Sequence, residues 1–339
     1  MTAMSEDAGS YRVEHVSKFE PWLLRNLCEP VVKVVPAWIS PNMITMVNAC
    51  VIVLMFALCA ISPRLAPLDR LLALFGAAAA MFSSMILDSV DGMHARRTNQ
   101  TSKLGEFLDH WLDTVHVPLV SSSMALMLEV PAVILGLTLL SSVMIYHAQL
   151  ALYHRGGKFV HPPTSGMEAQ VIATVLLMTS GVVFYLWPRY TPGVGWFVIG
   201  ASLSSFYFQA RQVKFFYERL EWKLGGHLPF AFQGAALFAL HLLGGLGRLG
   251  FVVAVVALSF RCSGTYVLRT LAKRPYDGHE VATWGFLALA FAAHFFAADQ
   301  IIMGQPLSAV IIGFGAVHQI LRNFADVSRD YLVLRPARS

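Results

Sequence analysis

Long uninterrupted apolar stretches recur along the whole chain, separated by short segments where charged residues, glycine and proline collect. Ten runs stand out, at about 43–62, 71–91, 105–127, 130–152, 167–187, 194–213, 228–245, 250–270, 281–298 and 306–324. Each is on the order of 17–25 residues, the length a helix needs to cross about 30 Å of hydrocarbon. Helices satisfy their own backbone donors and acceptors inside lipid; a barrel strand would show apolar–polar alternation over about ten residues, and that pattern is absent. The chain is therefore expected to be an all-α, polytopic membrane protein with about ten transmembrane helices. The links between runs are mostly under about twelve residues, too short to hide a soluble domain.

The segments outside the runs divide the chain further. Residues 1–10 are polar and expected to be disordered. Residues 11–38 interleave apolar positions with Arg12, Glu14, Lys18, Glu20, Arg25, Glu29 and Lys33, which predicts a helix lying in the membrane interface, broken by Pro30 and Pro36. Pro41-Asn42 opens the first span. Residues 153–166 read as a turn-rich loop, and residues 214–227 as a second interfacial helix. This gives four regions: 1–42, a disordered start with an interfacial amphipathic helix; 43–187, the helices that carry the candidate chemistry; 188–325, the remaining spans; and 326–339, a tail. Gly244, Gly245, Gly247 and Gly250 predict a tight turn between helices, and Gly193-x-Gly195 with Gly200 lacks dinucleotide-binding spacing.

Composition agrees with the pattern. The chain is 56% apolar and 13% charged, against about 25% charged in soluble domains, and its mean hydropathy is +0.59. With ten spans and a cytosolic N-terminus, the loop cations Arg96, Arg97, Lys103, Arg155, Lys158, Arg211, Lys214, Arg219, Lys223, Arg269, Lys273 and Arg274 join both termini on the cytosolic side. Only Arg64, Arg70, Arg189 and Arg248 fall outside, so the positive-inside rule predicts both ends in the cytosol. The net charge of +5 then reflects orientation and contact with anionic membrane lipids, not nucleic acid. No cleavable signal peptide is expected, the first span serving as anchor. Cys28, Cys50, Cys59 and Cys262 lack metal-ligand spacing and are expected to be buried structural thiols.

The chemistry concentrates in residues 88–113, DSVDGMHARRTNQTSKLGEFLDHWLD. Asp88 and Asp91 are three apart, and Asp109 and Asp113 four apart, spacings that put each pair on one helix face. Two helical carboxylate pairs joined by a basic, glycine-containing link, at the ends of adjacent spans, would repel strongly without a cation. Oxygen-only clusters select Mg²⁺, Mn²⁺ or Ca²⁺. Ionisable groups this close to the membrane point to function. Arg96 and Arg97 between the pairs are suited to phosphate oxygens, and Gly92 and Gly105 permit close approach of ligand or helix. Together these residues describe a phosphoryl-transfer site.

The spacing Asp88-x2-Asp91-Gly92-x2-Ala95-Arg96-x8-Gly105-x3-Asp109-x3-Asp113 resembles the signature of the CDP-alcohol phosphotransferase (CDP-alcohol phosphatidyltransferase) family at all eight of its fixed positions. The fuller wording from Asp91 to Thr98 and from Leu104 to Asp113 is most similar to the choline/ethanolamine phosphotransferases. So are Trp38-x2-Pro41-Asn42-x-Ile44-Thr45 and Glu168-x-Gln170, while residues 147–159 match loosely. The resemblance implies an integral membrane enzyme of phospholipid biosynthesis with its active site facing the cytosol. Such an enzyme transfers phosphoethanolamine or phosphocholine from CDP-ethanolamine or CDP-choline to diacylglycerol, with CMP leaving. It further implies Mg²⁺ or Mn²⁺, two ions, held by Asp88, Asp91 and Asp109, with Asp113 a fourth ligand or general base. Asn42, Gly92, Ala95, Arg96 and Gly105 would hold the CDP moiety, and a homodimer is expected. A metal-held carboxylate is a weak base, so of the candidates Asp113, His110 and Glu168, His110, one residue from Asp109, or Glu168 is expected to accept the proton of the lipid hydroxyl, with Asp113 mainly supporting the metals.

Other readings compete. CDP-diacylglycerol could be the donor, with serine, inositol or glycerol phosphate as acceptor. A secondary transporter would carry its ion site near the midplane in repeated halves, whereas these carboxylates occur once, at span ends. The aspartates could form a structural ion-pair cluster with Arg96, Arg97 and Lys103. His94, His116, His147, His154 and His161 show no zinc-binding spacing and are expected to be satisfied or solvated. Arg261, inside the eighth run, has three readings: pairing with an acid, snorkelling, or contact with lipid phosphate. Tyr207, Gln209, Arg211 and Lys214 either line a substrate chamber or anchor the sixth span at the interface.

Overall fold

In the computed structural model, residues 12–15, 19–156, 158–161, 166–187, 192–221, 227–274, 276 and 281–334 are described. Helices dominate. A short helix α1 (Glu20–Leu23) continues through a wider turn at Leu24–Cys28 into α2 (Glu29–Val34). Long helices follow: α3 (Pro41–Ile61), α4 (Pro67–Arg97), α5 (Lys103–Met127), α6 (Ala132–Gly156), α7 (Gly166–Leu186) and α8 (Pro192–Arg219). The series ends with α9 (Leu228–Leu242), α10 (Arg248–Leu271), α11 (Val281–Phe296) and α12 (Leu307–Leu334). Each of the ten apolar runs falls on one of the helices from α3 to α12. Among the described residues six of these, α3, α4, α6, α7, α10 and α12, contain segments long and apolar enough to cross a membrane; α9 and α11 are shorter apolar helices. The protein is an all-α membrane protein.

Local chemistry sets the helix ends that matter. Ser40 caps α3 by accepting the Met43 N–H at 3.3 Å, with Pro41 in the first turn, where its missing N–H costs nothing. Arg96 and Arg97 occupy the last turn of α4, the end that favours cations. The chain then reverses within five residues. Gln100 N–H bonds back to the Ala95 carbonyl at 2.8 Å, and Asn99 takes the left-handed conformation (φ 55°), which asparagine tolerates better than most residues. Ser102 caps α5 by accepting the Gly105 N–H at 3.0 Å. This short link holds the two carboxylate-bearing helix ends side by side.

Around that pair, α3 packs on both α4 and α5, α4 on α7, α5 on α6 and α10, and α6 on α8. The second half buttresses the first: α10 touches α5, α6, α9 and α12, and 83% of its most apolar stretch is buried, against 22% for α7. Gly264 of α10 has its Cα against Trp111 of α5, where an added Cβ would come within 2.7 Å of the indole. At the opposite end of α5, Arg70 of α4 donates to the Met127 carbonyl at 2.9 Å and lies over the Phe184 ring. Arg261 is buried and pairs with Asp326 of α12 at 2.6 Å, which selects the acid-pairing reading.

Several expectations change. Residues 12–15 form strand β1 (Arg12–His15), parallel to β2 (Lys158–His161), so the interfacial helix starts at Glu20 and the 153–166 segment is not turns alone. Pro30 does not break the helix: it sits in the first turn of α2, just after the widened turn. Residues up to Arg219 extend α8 instead of forming a separate interfacial helix, and residues 222–226 lie outside the described residues. Cys28, Cys59 and Cys262 are buried, but Cys50 is exposed on the surface of α3. Gly244 turns the chain between α9 and α10 with φ +86°, whereas Gly250 lies inside α10. A small hairpin, β3 (Ile301–Ile302) and β4 (Gln305–Pro306), precedes α12.

Candidate metal and substrate site

The four aspartates converge. Asp88 and Asp91 come from α4, and Asp109 and Asp113 from α5; Asp109 lies within electrostatic reach of Asp91, Asp113 and Asp88. One oxygen each of Asp88 and Asp113 and one ring nitrogen of His116 lie within 4.8 Å of one another. Among the described residues, no lysine or arginine forms an ion pair with any of the four carboxylates; the Arg96 guanidinium is the cation nearest in effect, acting on Asp91. The structural ion-pair reading therefore fails on geometry.

Helix α3 positions two of these acids. The Thr45 hydroxyl donates to Asp91 Oδ2 at 2.6 Å, and the Asn48 amide donates to Asp88 Oδ1 at 3.3 Å. Ser84 in turn donates to Asn48 Oδ1 at 2.6 Å, which fixes the amide's orientation. The Gly92 N–H also meets Asp91, at Oδ1, 2.6 Å away. On the α5 side the Tyr146 hydroxyl of α6 lies 3.3 Å from Asp113 Oδ2 and 3.0 Å from the His110 carbonyl oxygen. Such outer contacts orient metal-binding carboxylates and tune their affinity. Thr45 was legible as part of the α3 motif; Asn48, Ser84 and Tyr146 carried no signal that separated them from span interior.

The glycines differ in role. A Cβ on Gly105 would come within 3.3 Å of Asn42 Oδ1, so glycine lets the start of α3 close against α5. A Cβ on Gly92 would make only ordinary contact, 3.6 Å from the Arg96 guanidinium, so its bare backbone is not a packing requirement and leaves one face open to a ligand. Ala95 lies half-buried on the same turn as Arg96, which is exposed. Arg97 is committed elsewhere: it donates to the Lys33 and Val35 carbonyls, capping the C-terminal end of α2. Only Arg96 of the two remains available to phosphate. His94 bonds to the Ile39 carbonyl at 2.9 Å and is structural.

A chamber of about 710 Å³ opens from the carboxylates into the helix bundle. Asp88, Asp113 and His116 line its polar end; Val120, Ile134, Leu176 and Phe197 line its apolar length. From Asp113 to Leu128 along α5 the wall spans about 22 Å at 1.5 Å per residue. Gln149, Gln170, Gln209 and Gln212 also face it, and no lysine or arginine does among the described residues. Gln209 thus belongs to the chamber, while Tyr207, Arg211 and Lys214 do not. His110 is buried with its ring 5.6 Å from that of Tyr153, off the chamber lining, and Glu168 is half-buried at the start of α7, also off it. His116 is the residue that sequence reasoning set aside: its i+3 spacing from Asp113 was the available signal.

Residues 38–209, just over half of the chain, match the profile of the CDP-alcohol phosphatidyltransferase family, and that stretch holds the four carboxylates and every residue lining the chamber except Gln212. The chain belongs to the CDP-alcohol phosphatidyltransferase family. It is similar to cholinephosphotransferase 1 of Xenopus laevis, 36% identical over 110 residues that cover 29% of this chain and 26% of that protein. It is also similar to cholinephosphotransferase 1 of Gallus gallus, 31% identical over 179 residues covering 48% and 50%. Choline/ethanolaminephosphotransferase 1 of Saccharomyces cerevisiae is 29% identical over 107 residues, 31% of this chain and 27% of that protein. The chain thus spans half or less of the length of these relatives.

Proposed function

We propose that this CDP-alcohol phosphatidyltransferase family protein transfers phosphocholine or phosphoethanolamine from a CDP-alcohol to diacylglycerol, releasing CMP. The observation that carries this reading is the chamber: an acidic, phosphate-side end leading into an apolar, cation-free volume within the bundle. An acceptor seated there is uncharged and lipid-like, as diacylglycerol is. Inositol or serine would call for a small polar pocket, and glycerol phosphate for a cation, at the same place. The names of the similar cholinephosphotransferases support the donor.

The residues present suit a divalent cation by donor chemistry: clustered carboxylates without a basic partner, and the buried Nε2 of His116 with no hydrogen-bond partner. In this reading Asp88, Asp91, Asp109 and Asp113 hold Mg²⁺ or Mn²⁺, two ions in all. When bound, the ions supply charge neutralisation at the pyrophosphate and at the departing CMP. Thr45, Asn48 and Ser84 keep Asp88 and Asp91 aimed at the site. Arg96 and the bare backbone of Gly92 receive the nucleotide phosphates, and Asn42 and Gly105 form the wall beside them. Of the three candidate proton acceptors, Asp113 lines the chamber from which the lipid hydroxyl arrives, while His110 and Glu168 lie off its lining. The helices from α3 to α12 form ten spans, with both termini and the acidic end of the chamber in the cytosol, a topology supported by the placement of lysine and arginine.

Purified protein incubated with Mg²⁺, diacylglycerol and CDP-choline or CDP-ethanolamine should release CMP and form the matching phospholipid. Release of CMP only from CDP-diacylglycerol with serine, inositol or glycerol phosphate would overturn this assignment.

A further inference from the structure

We propose that His116 is itself a ligand of the cation site, so that the ion nearest the chamber is held by Asp88, Asp113 and an imidazole nitrogen instead of by carboxylates alone. This rests on the metal-dependent reading above and goes beyond the four-aspartate signature.

Three observations converge. First, the ligand atoms of Asp88, Asp113 and His116 lie within 4.8 Å of one another. Oxygen and nitrogen ligands about 2.1 Å from a common ion stand up to about 4.2 Å apart, so small side-chain rotations would close the group around one ion. Second, among the described residues no hydrogen bond occupies His116. Its Nδ1 is 3.6 Å from Asp113 Oδ1, too long for a hydrogen bond, and its Nε2 is buried without a partner. The residue is only 8% exposed, and a polar nitrogen buried without a partner is costly. Third, it sits one turn past Asp113 on the same face of α5 and lines the chamber together with Asp113 and Asp88.

A mixed nitrogen–oxygen set has a chemical consequence. Oxygen donors suit Mg²⁺, Ca²⁺ and Mn²⁺ alike, but Mn²⁺ begins the first-row series along which affinity for nitrogen ligands rises and accepts an imidazole more readily than Mg²⁺ does. The site should therefore prefer Mn²⁺ over Mg²⁺ more strongly than a cage of four carboxylates would. It should lose that preference when the imidazole is removed.

The test reads the ligand directly. Full-length protein in detergent is loaded with Mn²⁺ and its electron spin-echo modulation recorded. A directly bound ¹⁴N coupling is expected in the wild type. It should change to the ¹⁵N pattern in protein labelled with [¹⁵N]histidine, a comparison that requires no substitution. The coupling should vanish in His116→Gln and persist in His110→Gln. In His116→Gln the Mn²⁺ Kd should rise about tenfold while the Mg²⁺ Kd changes by less than about threefold. Bound Mn²⁺ without nitrogen coupling, or coupling that survives His116→Gln, overturns this inference and leaves the carboxylate site standing. Failure of the wild type to bind Mn²⁺ or Mg²⁺ at all overturns the cation reading together with it.

Discussion

Asp326 and Asp330 on α12 each face an arginine, Arg261 at 2.6 Å and Arg274 at 2.9 Å. Asp88, Asp91, Asp109 and Asp113 on α4 and α5 face one another, and hydroxyl and amide groups from α3 and α6 hold them in place. Both groups lie at helix ends in an apolar chain, yet their chemistry is opposite. An acid matched to a base within the fold is already neutralised and ties helices together. Acids gathered without a base carry an unresolved repulsion, and the fold invests hydrogen bonds in keeping them there. The first arrangement locks α10 to α12; in the function proposed above, the second reserves a place for a cation from solution.

The largest expected effect separates the two groups by activity. Asp91→Asn or Asp109→Asn should lower CMP release by about 10³-fold or more, above about 4 kcal/mol of transition-state stabilisation. Because each removes one of several like charges, neither should lower the unfolding temperature of metal-free protein. Loss of fold in these variants would erase the distinction drawn here. Chelation tests the same point without mutation. EDTA should stop turnover and Mg²⁺ restore it, and saturation at about 100 times Kd should stabilise the wild type by about 2.7 kcal/mol, read as a rise in thermal midpoint. That rise should be absent in Asp91→Asn.

The paired group should answer the other way. Arg261→Met takes the close partner from half-buried Asp326, leaving it only Arg329 at 3.9 Å, and should cost about 1–3 kcal/mol of stability. The double variant Arg261→Met/Asp326→Leu should recover most of that loss, since an apolar pair of similar volume removes the stranded charge. Thermal unfolding of the single and double variants measures both. If the double variant were stable but inactive, the pair would belong to the chemistry and not to the scaffold.

This contrast also marks where the sequence was legible. The apolar runs located every long helix because a span must be apolar over its full length, whatever it packs against. The two carboxylate pairs were readable because helical spacing fixes their faces, and the short link from Arg97 to Lys103 leaves those faces no way to separate. What escaped depends on contacts between distant segments. Asn48 and Ser84 look like span interior until α3 is laid on α4. Arg97 looks identical to Arg96 until α2 ends above it. His116 looked like one more satisfied or solvated histidine, because its nearness to Asp88 exists only once α4 and α5 are packed together.

The smallest effect is expected at the two adjacent arginines, and it sharpens the comparison most finely, since neither forms a side-chain ion pair among the described residues. Arg96 is exposed, lies against the open face of Gly92 and acts on Asp91. In the proposed site it would contact phosphate in ground and transition states alike, so Arg96→Ala should raise KM for the CDP-alcohol about tenfold with little change in kcat, about 1.4 kcal/mol. Arg97 bonds to the carbonyls that end α2. Arg97→Ala should leave KM within about twofold and cost about 1 kcal/mol of local stability, because a cation at an exposed helix terminus contributes no more than that. Steady-state kinetics and amide exchange across residues 20–35 in the two variants distinguish the roles. Equal rises in KM would mean that α2 itself forms part of the nucleotide pocket, and the division between scaffold cations and ligand cations would have to be redrawn at that helix end.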